Sequence, residues 1–353
     1  MIWRKSCTYA VWAGYGPEEI VTSSAASDAF SIQSVSVIIA AWRAADTIGR
    51  AISSALAQPE AGEVIVVDDA SGDAGATLAA ARAADDGSGR LSIIALDANG
   101  GPARARNAAM SAGQAAWICI LDSDDYFEPG RLAALLSHAS EGCDFVADDL
   151  IQVAAGADRS TGRPMWFVGP PEVQEVSLAF FVETNIPKAS RYRRELGFLK
   201  PMMRRSFLVQ HGLRYDEAMR LGEDYDLYAR ALAAGARFRL TPAAGYVSVM
   251  RSDSLSARHS RNDLVAFAAS DQRLLASGPL NLEEQRVIRA HAFSTQKRIA
   301  WIDFIDNLKA MRLPGAVGVM LKDPRLAPHL AVGLGKIAIR RLTGAKSRHQ
   351  LAV

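Results

Sequence analysis

The sequence predicts an α/β protein with a mostly parallel central sheet, flanking helices and a C-terminal helical extension. Three observations predict it: apolar β-branched runs alternate with helix-like runs from Ser34 onward, acids cluster where those runs end, and helical periodicity takes over beyond about residue 260.

The elements follow in order. SVSVIIAAW (34–42) reads as a buried strand and ADTIGRAISSALAQ (45–58) as a helix stopped by Pro59. EVIVVDD (63–69) repeats the strand, Thr77 to Ala84 the helix, and RLSIIAL (90–96) is a third strand. After Gly100 and Gly101, PARARNAAMSAG is a helix with Pro102 in its first turn and Gly113 at its end. AAWICILDSDD then forms a fourth strand running into acids, RLAALLSHAS (131–140) a helix, and CDFVADD (143–149) another short strand ending in carboxylates. The stretch 156–171 reads as a crossover loop. Acids in the first turn and Gly235 at the end make GEDYDLYARALAAG (222–235) a helix. Asn281 and Glu284 have the spacing of a capping box, opening a helix expected to run to about Leu313 before Pro314. HLAVGLGKIAIRRL (329–342) mixes apolar residues with Lys336, Arg340 and Arg341; it either lies on an anionic membrane surface or docks on its own core. The predicted organisation is an extension over 1–33, a first half over 34–150, a second half over 151–260 and helices over 261–353.

Composition bounds the function. A chain of 353 residues buries a core without disulfides, and its three cysteines, Cys7, Cys119 and Cys143, have no disulfide or zinc spacing. A net charge of +2 supplies no field for nucleic acid, and no apolar run reaches the roughly 20 residues of a membrane span. A cytoplasmic protein, with or without a peripheral contact on the inner face of the plasma membrane, is expected.

In a parallel sheet, ligands bind outside the carboxyl ends of the strands, where Asp68, Asp69, Asp122, Ser123, Asp124 and Asp125 fall. Asp122 and Asp124 after a buried strand suit a hard divalent ion, Mg2+ or Mn2+; the rival reading is a strand-to-loop turn capped by its own acids. GGPARARN (100–107) adds a helix N-terminus and two cations, Arg104 and Arg106, suited to a diphosphate. No dinucleotide fingerprint or P-loop string accompanies it. Arg204 and Arg205 read either as phosphate contacts or as an exposed basic turn, and Ser254, Ser256 and His259 are acceptor or phosphate candidates.

The blocks SVSVIIAAWRAADTIGRAISSALAQ, EVIVVDDASGD, GGPARARNAAM, ICILDSDDYFEPGRL and GEDYDLYARALAAG, in this order, resemble the family 2 glycosyltransferases, nucleotide-sugar enzymes of the GT-A fold. The run from LGFLKPMMRR through GEDYDLYAR is similar to bacterial exopolysaccharide transferases of the succinoglycan-assembly type. The resemblance implies that Asp69 binds the uracil side, that Asp122 and Asp124 form the DxD motif, and that Asp224 of the Glu223–Asp224 pair is the catalytic base. Ala40 falls at a donor-contact position where the family often carries Thr or Ser. The implied reaction is inverting transfer of a hexose or uronic acid from a UDP-sugar to a glycan carried on undecaprenyl diphosphate. Two alternatives stand beside it: a nucleotide-sugar pyrophosphorylase, and a non-catalytic carbohydrate- or nucleotide-binding protein. For Glu223 and Asp224, plain helix N-terminal electrostatics is the competing role.

Overall fold

The computed structural model describes residues 34–139, 142–167, 172–187, 195–250 and 260–343, with side chains as far as 337. The 1–33 extension, Ser254, Ser256 and His259 lie outside the described residues. The chain forms two compact units that interleave along the sequence. One takes the chain through Glu175, then Leu199–Glu217 and Ala234–Met250; the other takes Val176–Phe198, Ala218–Ala233 and the chain from Arg251.

The first unit begins with β1 (Val35–Ala41), α1 (Ile48–Leu56), β2 (Ala61–Asp68), α2 (Ala76–Ala83), β3 (Leu91–Ala95), α3 (Gly101–Ala112) and β4 (Trp117–Ile120). β1 is buried almost throughout, as an interior parallel strand covered on both faces must be, and each fully buried Val or Ile contributes about 1.5–3 kcal/mol. α1 buries Ile48, Ala51, Ile52, Ala55 and Leu56, a helical stripe that matches its sequence period. β5 (Tyr126–Phe127), α4 (Arg131–His138), β6 (Phe145–Asp148), β7 (Ile151–Ala154), β8 (Arg163–Pro164) and β9 (Gln174–Val176) follow. After α5 (Leu178–Thr184), which belongs to the second unit, the chain returns with β10 (Met202–Arg204) and α6 (Arg205–Gln210). Beyond α7 (Glu223–Ala233) it returns again with β11 (Phe238–Thr241) and β12 (Tyr246–Met250).

The large sheet has the order β3-β2-β1-β4-β10-β6-β11-β9, and a smaller one the order β5-β12-β7-β8. β1, β2, β3 and β4 are mutually parallel, as expected, but β10 runs antiparallel to both β4 and β6. The sheet is therefore mixed. A parallel neighbour needs a crossover that brings the chain back to the starting end, whereas β10 enters directly from the 199–201 segment and pairs in the opposite sense.

The second unit holds α5, α7, α8 (Arg261–Ala276), α9 (Leu282–Lys309), α10 (Leu313–Lys322) and α11 (Ala327–Thr343). The capping box at α9 forms: Asn281 Oδ1 accepts from Glu284 N at 2.9 Å while Asn281 N donates to Glu284 Oε2 at 2.8 Å. The expected end of this helix moves. α9 stops at Lys309, the chain turns at Met311 with φ +57°, and Pro314 lies in the first turn of α10 rather than beyond a helix end. A first-turn amide has no intrahelical partner, so proline is tolerated there. Phe304, Ala316 and Leu330 form the core joining α9, α10 and α11.

Candidate active site

Because β1, β2 and β4 are parallel and adjacent, the acids that follow β2 and β4 emerge at one rim of the first unit. Asp68 is buried and accepts from Ser71 N at 3.2 Å and from the Ser71 hydroxyl. Asp69 Oδ1 and Oδ2 accept from the amides of Gly100 and Gly101 at 2.8 and 2.7 Å, and Asn99 donates to the Asp69 carbonyl. Asp69 thereby fastens the loop that opens α3. Gly101 has φ +85°, a left-handed conformation that favours glycine.

α3 delivers two consecutive buried side chains. Arg106 Nη2 donates to Asp122 Oδ1 at 2.8 Å, and Asn107 exchanges hydrogen bonds with the Tyr215 backbone while donating to Glu217 Oε1 at 2.8 Å. The other oxygen of Asp122 lies 3.1 Å from Lys200 Nζ. Burial works against the Asp122 charge, but Lys200 and then Arg106 outweigh it and hold the carboxyl at about 2. Arg50 on α1 donates to the Asp124 carbonyl at 2.7 Å, and its guanidinium sits 4.6 Å from the Tyr126 ring centre, which fixes the 122–125 turn from a second side.

Asp125 is buried, accepting from Tyr246 Oη at 2.9 Å and Val249 N at 2.7 Å. Burial first, then the fields of Asp122 and Asp124, push its carboxyl well above the usual range. Asp122 and Asp124 supply hard carboxylate oxygens, the donor type a divalent cation takes. Among the described residues no group of three or more His, Cys, Asp or Glu is placed to hold a metal, so a bound ion would draw the rest of its shell from phosphate and water, as Mg2+ generally does.

The other predicted residues fall as follows. Ala40 is half-buried near the end of β1, and Ser123 half-buried between the two DxD acids. Arg104 bonds the Ala98 carbonyl and Asp97 rather than the acid rim. Arg204 donates to the Cys143 carbonyl and lies over the Trp117 ring, and Arg205 donates to Ala115 O, Met110 O and Ser36 Oγ. Both arginines thus tie strands and loops of the sheet together. Cys119 is wholly buried, and burial pushes its thiol up. In the second unit, Glu223 and Asp224 are buried in the first turn of α7, where the helix N-terminus favours negative charge, and Tyr228 Oη contacts Asp224 Oδ1 at 3.5 Å.

Lys200, Arg50, Asn107 and Tyr246 were not singled out by sequence reasoning. Lys200 carried one signal: a lone cation within the apolar run LGFLKPMM, where a buried lysine requires a partner.

A mixed sheet with an acidic rim at its parallel carboxyl ends and an Asp-x-Asp turn braced by cations defines a nucleotide-sugar transferase of the GT-A class. The Glycosyl transferase family 2 profile matches residues 36–198. The chain is 45% identical over 301 residues, 85% of its length and 86% of the relative's, to the succinoglycan biosynthesis protein ExoU of Rhizobium meliloti. It is 36% identical to ExoO of the same organism, over 88% of this chain and 87% of that one. The chain belongs to glycosyltransferase family 2. Solved structures of similar fold include S. aureus TarS 1-349 in complex with UDP-GlcNAc, with TM-score 0.53, 18% identity, 81% of this chain and 90% of that one. Another is the Pyrobaculum calidifontis mannosyltransferase PcManGT in complex with GDP-Man and Mn2+, with TM-score 0.53, 18% identity, 85% of this chain and 79% of that one.

Proposed function

We propose that the protein is an inverting glycosyltransferase that moves a hexose or uronic acid from a UDP-sugar to a glycan carried on undecaprenyl diphosphate, during assembly of a succinoglycan-like exopolysaccharide. The observation that carries the reading is the Asp122 carboxylate fixed between Arg106 and Lys200 beside Asp124, a rim suited to a nucleoside diphosphate and its cation. The likeness to ExoU supports the pathway.

Asp122, kept ionised by its two cations, accepts hydrogen bonds from hydroxyl groups of the donor. Asp124 would hold Mg2+ or Mn2+, and the ion would offset charge on the departing diphosphate. Asp69 and the Gly100–Gly101 amides shape the loop beside the base-binding side. Asp224 removes the proton from an acceptor hydroxyl as that oxygen bonds to the sugar C1. The bond from C1 to the diphosphate oxygen breaks with its electron pair going to UDP, so configuration at C1 inverts.

A peripheral position on the inner face of the cytoplasmic membrane follows from the acceptor. It is supported by Leu313, Val317 and Leu321, spaced four apart and 52–73% exposed on α10, between Arg312 and Lys322. Among the described residues no helix is long and apolar enough to cross a membrane.

The test screens UDP-glucose, UDP-galactose and UDP-glucuronic acid against purified lipid-linked glycans, with product mass and anomeric configuration determined, for the parent and Asp224→Asn. Transfer with inversion by the parent, together with loss of at least about 100-fold in D224N at unchanged UDP binding, is expected. Parent-like turnover in folded D224N refutes the base assignment, and nucleotidyl rather than sugar transfer refutes the reaction class.

A further inference from the structure

The second unit contains a buried polar cluster, formed largely by residues beyond the family match at 36–198, that the proposed chemistry does not use. It sits directly behind the first turn of α7. Tyr225, next to Asp224, donates its hydroxyl to Asp271 Oδ1 on α8 at 2.9 Å. Asp226 accepts at Oδ1 from Ser270 Oγ, the neighbouring residue on α8, at 2.6 Å. Asp271 Oδ2 lies 2.7 Å from His291 Nδ1 on α9, so both oxygens of that carboxylate are engaged from different helices. Asp271 is fully buried, His291 1% exposed and Tyr225 2% exposed. The Tyr225 ring also stacks near Phe181, Phe267 and His291, with centroids 5.6, 5.0 and 4.5 Å away. Arg230 Nε donates to Asp226 Oδ2 at 2.8 Å.

The geometry constrains direction as well as distance. Consecutive helix residues are about 100° apart, so bonds from both 225 and 226 to consecutive residues of α8 fix the rotation and the height of α7 together. Gly222, with φ +81°, leaves no space for a side chain against Phe267, so the chain enters the helix without slack. Stability alone is a weak reason for such a cluster, because apolar residues of similar volume commonly serve as well as a buried ionic network. What hydrogen bonds add is a single orientation.

We propose that Asp271 and His291, acting through Tyr225 and assisted by the Ser270–Asp226 bond, are positioning residues for Asp224, aiming its carboxylate at the acceptor hydroxyl. The proposal rests on the reading of Asp224 as the base. Misplacement of a reacting group by about 1 Å can lower turnover by about 100-fold without weakening binding, because only the reactive geometry suffers.

The test uses the full chain and the variants Asp271→Asn, Tyr225→Phe, His291→Phe and His291→Asn, with D224N in parallel. Turnover is measured with UDP-glucose, UDP-galactose and UDP-glucuronic acid, and UDP affinity by calorimetry. D271N, Y225F and H291F are expected to lose roughly 10- to 100-fold in kcat, with donor KM and UDP Kd within about twofold of the parent. H291N places an amide N–H where Nδ1 stood and is expected to recover most of the kcat lost in H291F. Should D271N fail to fold, Y225F, which removes one oxygen atom, carries the test. Parent-like kcat in folded Y225F or H291F, or equal losses in H291N and H291F that track a lowered Tm, overturns the positioning role while inactive D224N leaves the base standing. Normal turnover by D224N overturns the base reading and the positioning role with it.

Discussion

Arg131 is the perturbation whose effect the structure specifies most fully. Its side chain is fully buried, with Nε and Nη2 donating to Asp148 Oδ1 at 3.0 and 2.7 Å, Nη2 also to the Lys200 carbonyl at 2.9 Å, and Nη1 contacting Cys119 Sγ at 3.1 Å. It lies over the rings of Phe127 and Tyr246, 4.4 and 5.0 Å from their centres. Burial opposes its charge, yet Asp148 outweighs that and raises its pKa. Arg131→Met keeps the apolar stem but leaves Asp148 with only the amides of Ala244 and Tyr246 among these partners. Breaking one side of a buried pair costs about 3–5 kcal/mol, and the Lys200 carbonyl loses a donor as well. At about 2–4 °C per kcal/mol for a unit of this size, Tm should fall by roughly 6–20 °C. Scanning calorimetry and urea unfolding measure this, and UDP binding should weaken at temperatures where the variant is still folded, because Lys200 is held through its own carbonyl. The double variant R131M/D148N should recover part of the stability, because it removes the unpaired charge while the Asn oxygen can still accept from the amides of Ala244 and Tyr246. A loss below about 1 kcal/mol in R131M, or no recovery in the double variant, refutes the reasoning.

Four further outcomes are expected. Asp122, held at about 2 against an ordinary 3.8, contributes stability that is fully present above about pH 4 and is lost as pH falls toward 2. Lys200→Met should move this acid limb to higher pH and weaken UDP binding, both visible by thermal denaturation and calorimetry across pH 2–6. Asp124→Ala should abolish the gain in UDP affinity that Mg2+ or Mn2+ confers; calorimetry with and without metal reads it, and an undiminished metal effect counts against the assignment. Gly222→Ala combines left-handed backbone strain with a collision against the Phe267 ring, and should destabilise by about 2–4 kcal/mol in urea unfolding. Replacing Val317 and Leu321 with Ser should lower sedimentation with anionic phosphatidylglycerol vesicles several-fold while UDP affinity is unchanged.

What could be read in the sequence was local and periodic. The buried run of β1, the apolar stripe of α1, the acids after β2 and β4, and the first-turn acids of α7 all declare themselves within a few residues. β10 did not, because three residues, Met-Met-Arg, carry no alternation and little β-branching. Pro314 misled for a related reason: a proline that stops one helix and a proline that starts the next are distinguished by the turn at Met311, not by composition. The side chains around Asp122 come from 16 residues away in Arg106 and from a separate strand-entry segment in Lys200. Arg205 reaches Ser36 across 169 positions, so its task within the sheet had no sequence signature.

The interleaving of the two units sets an order in which the protein becomes able to work. As the chain emerges during synthesis, every segment of the first unit has been made by Met250, so the acid rim can assemble early. α7 is already synthesised by then, but Ser270, Asp271 and His291 follow 37 or more residues after its last residue, Ala233, so its seat does not yet exist. A nascent chain arrested between these points is expected to recognise donor before it can transfer sugar.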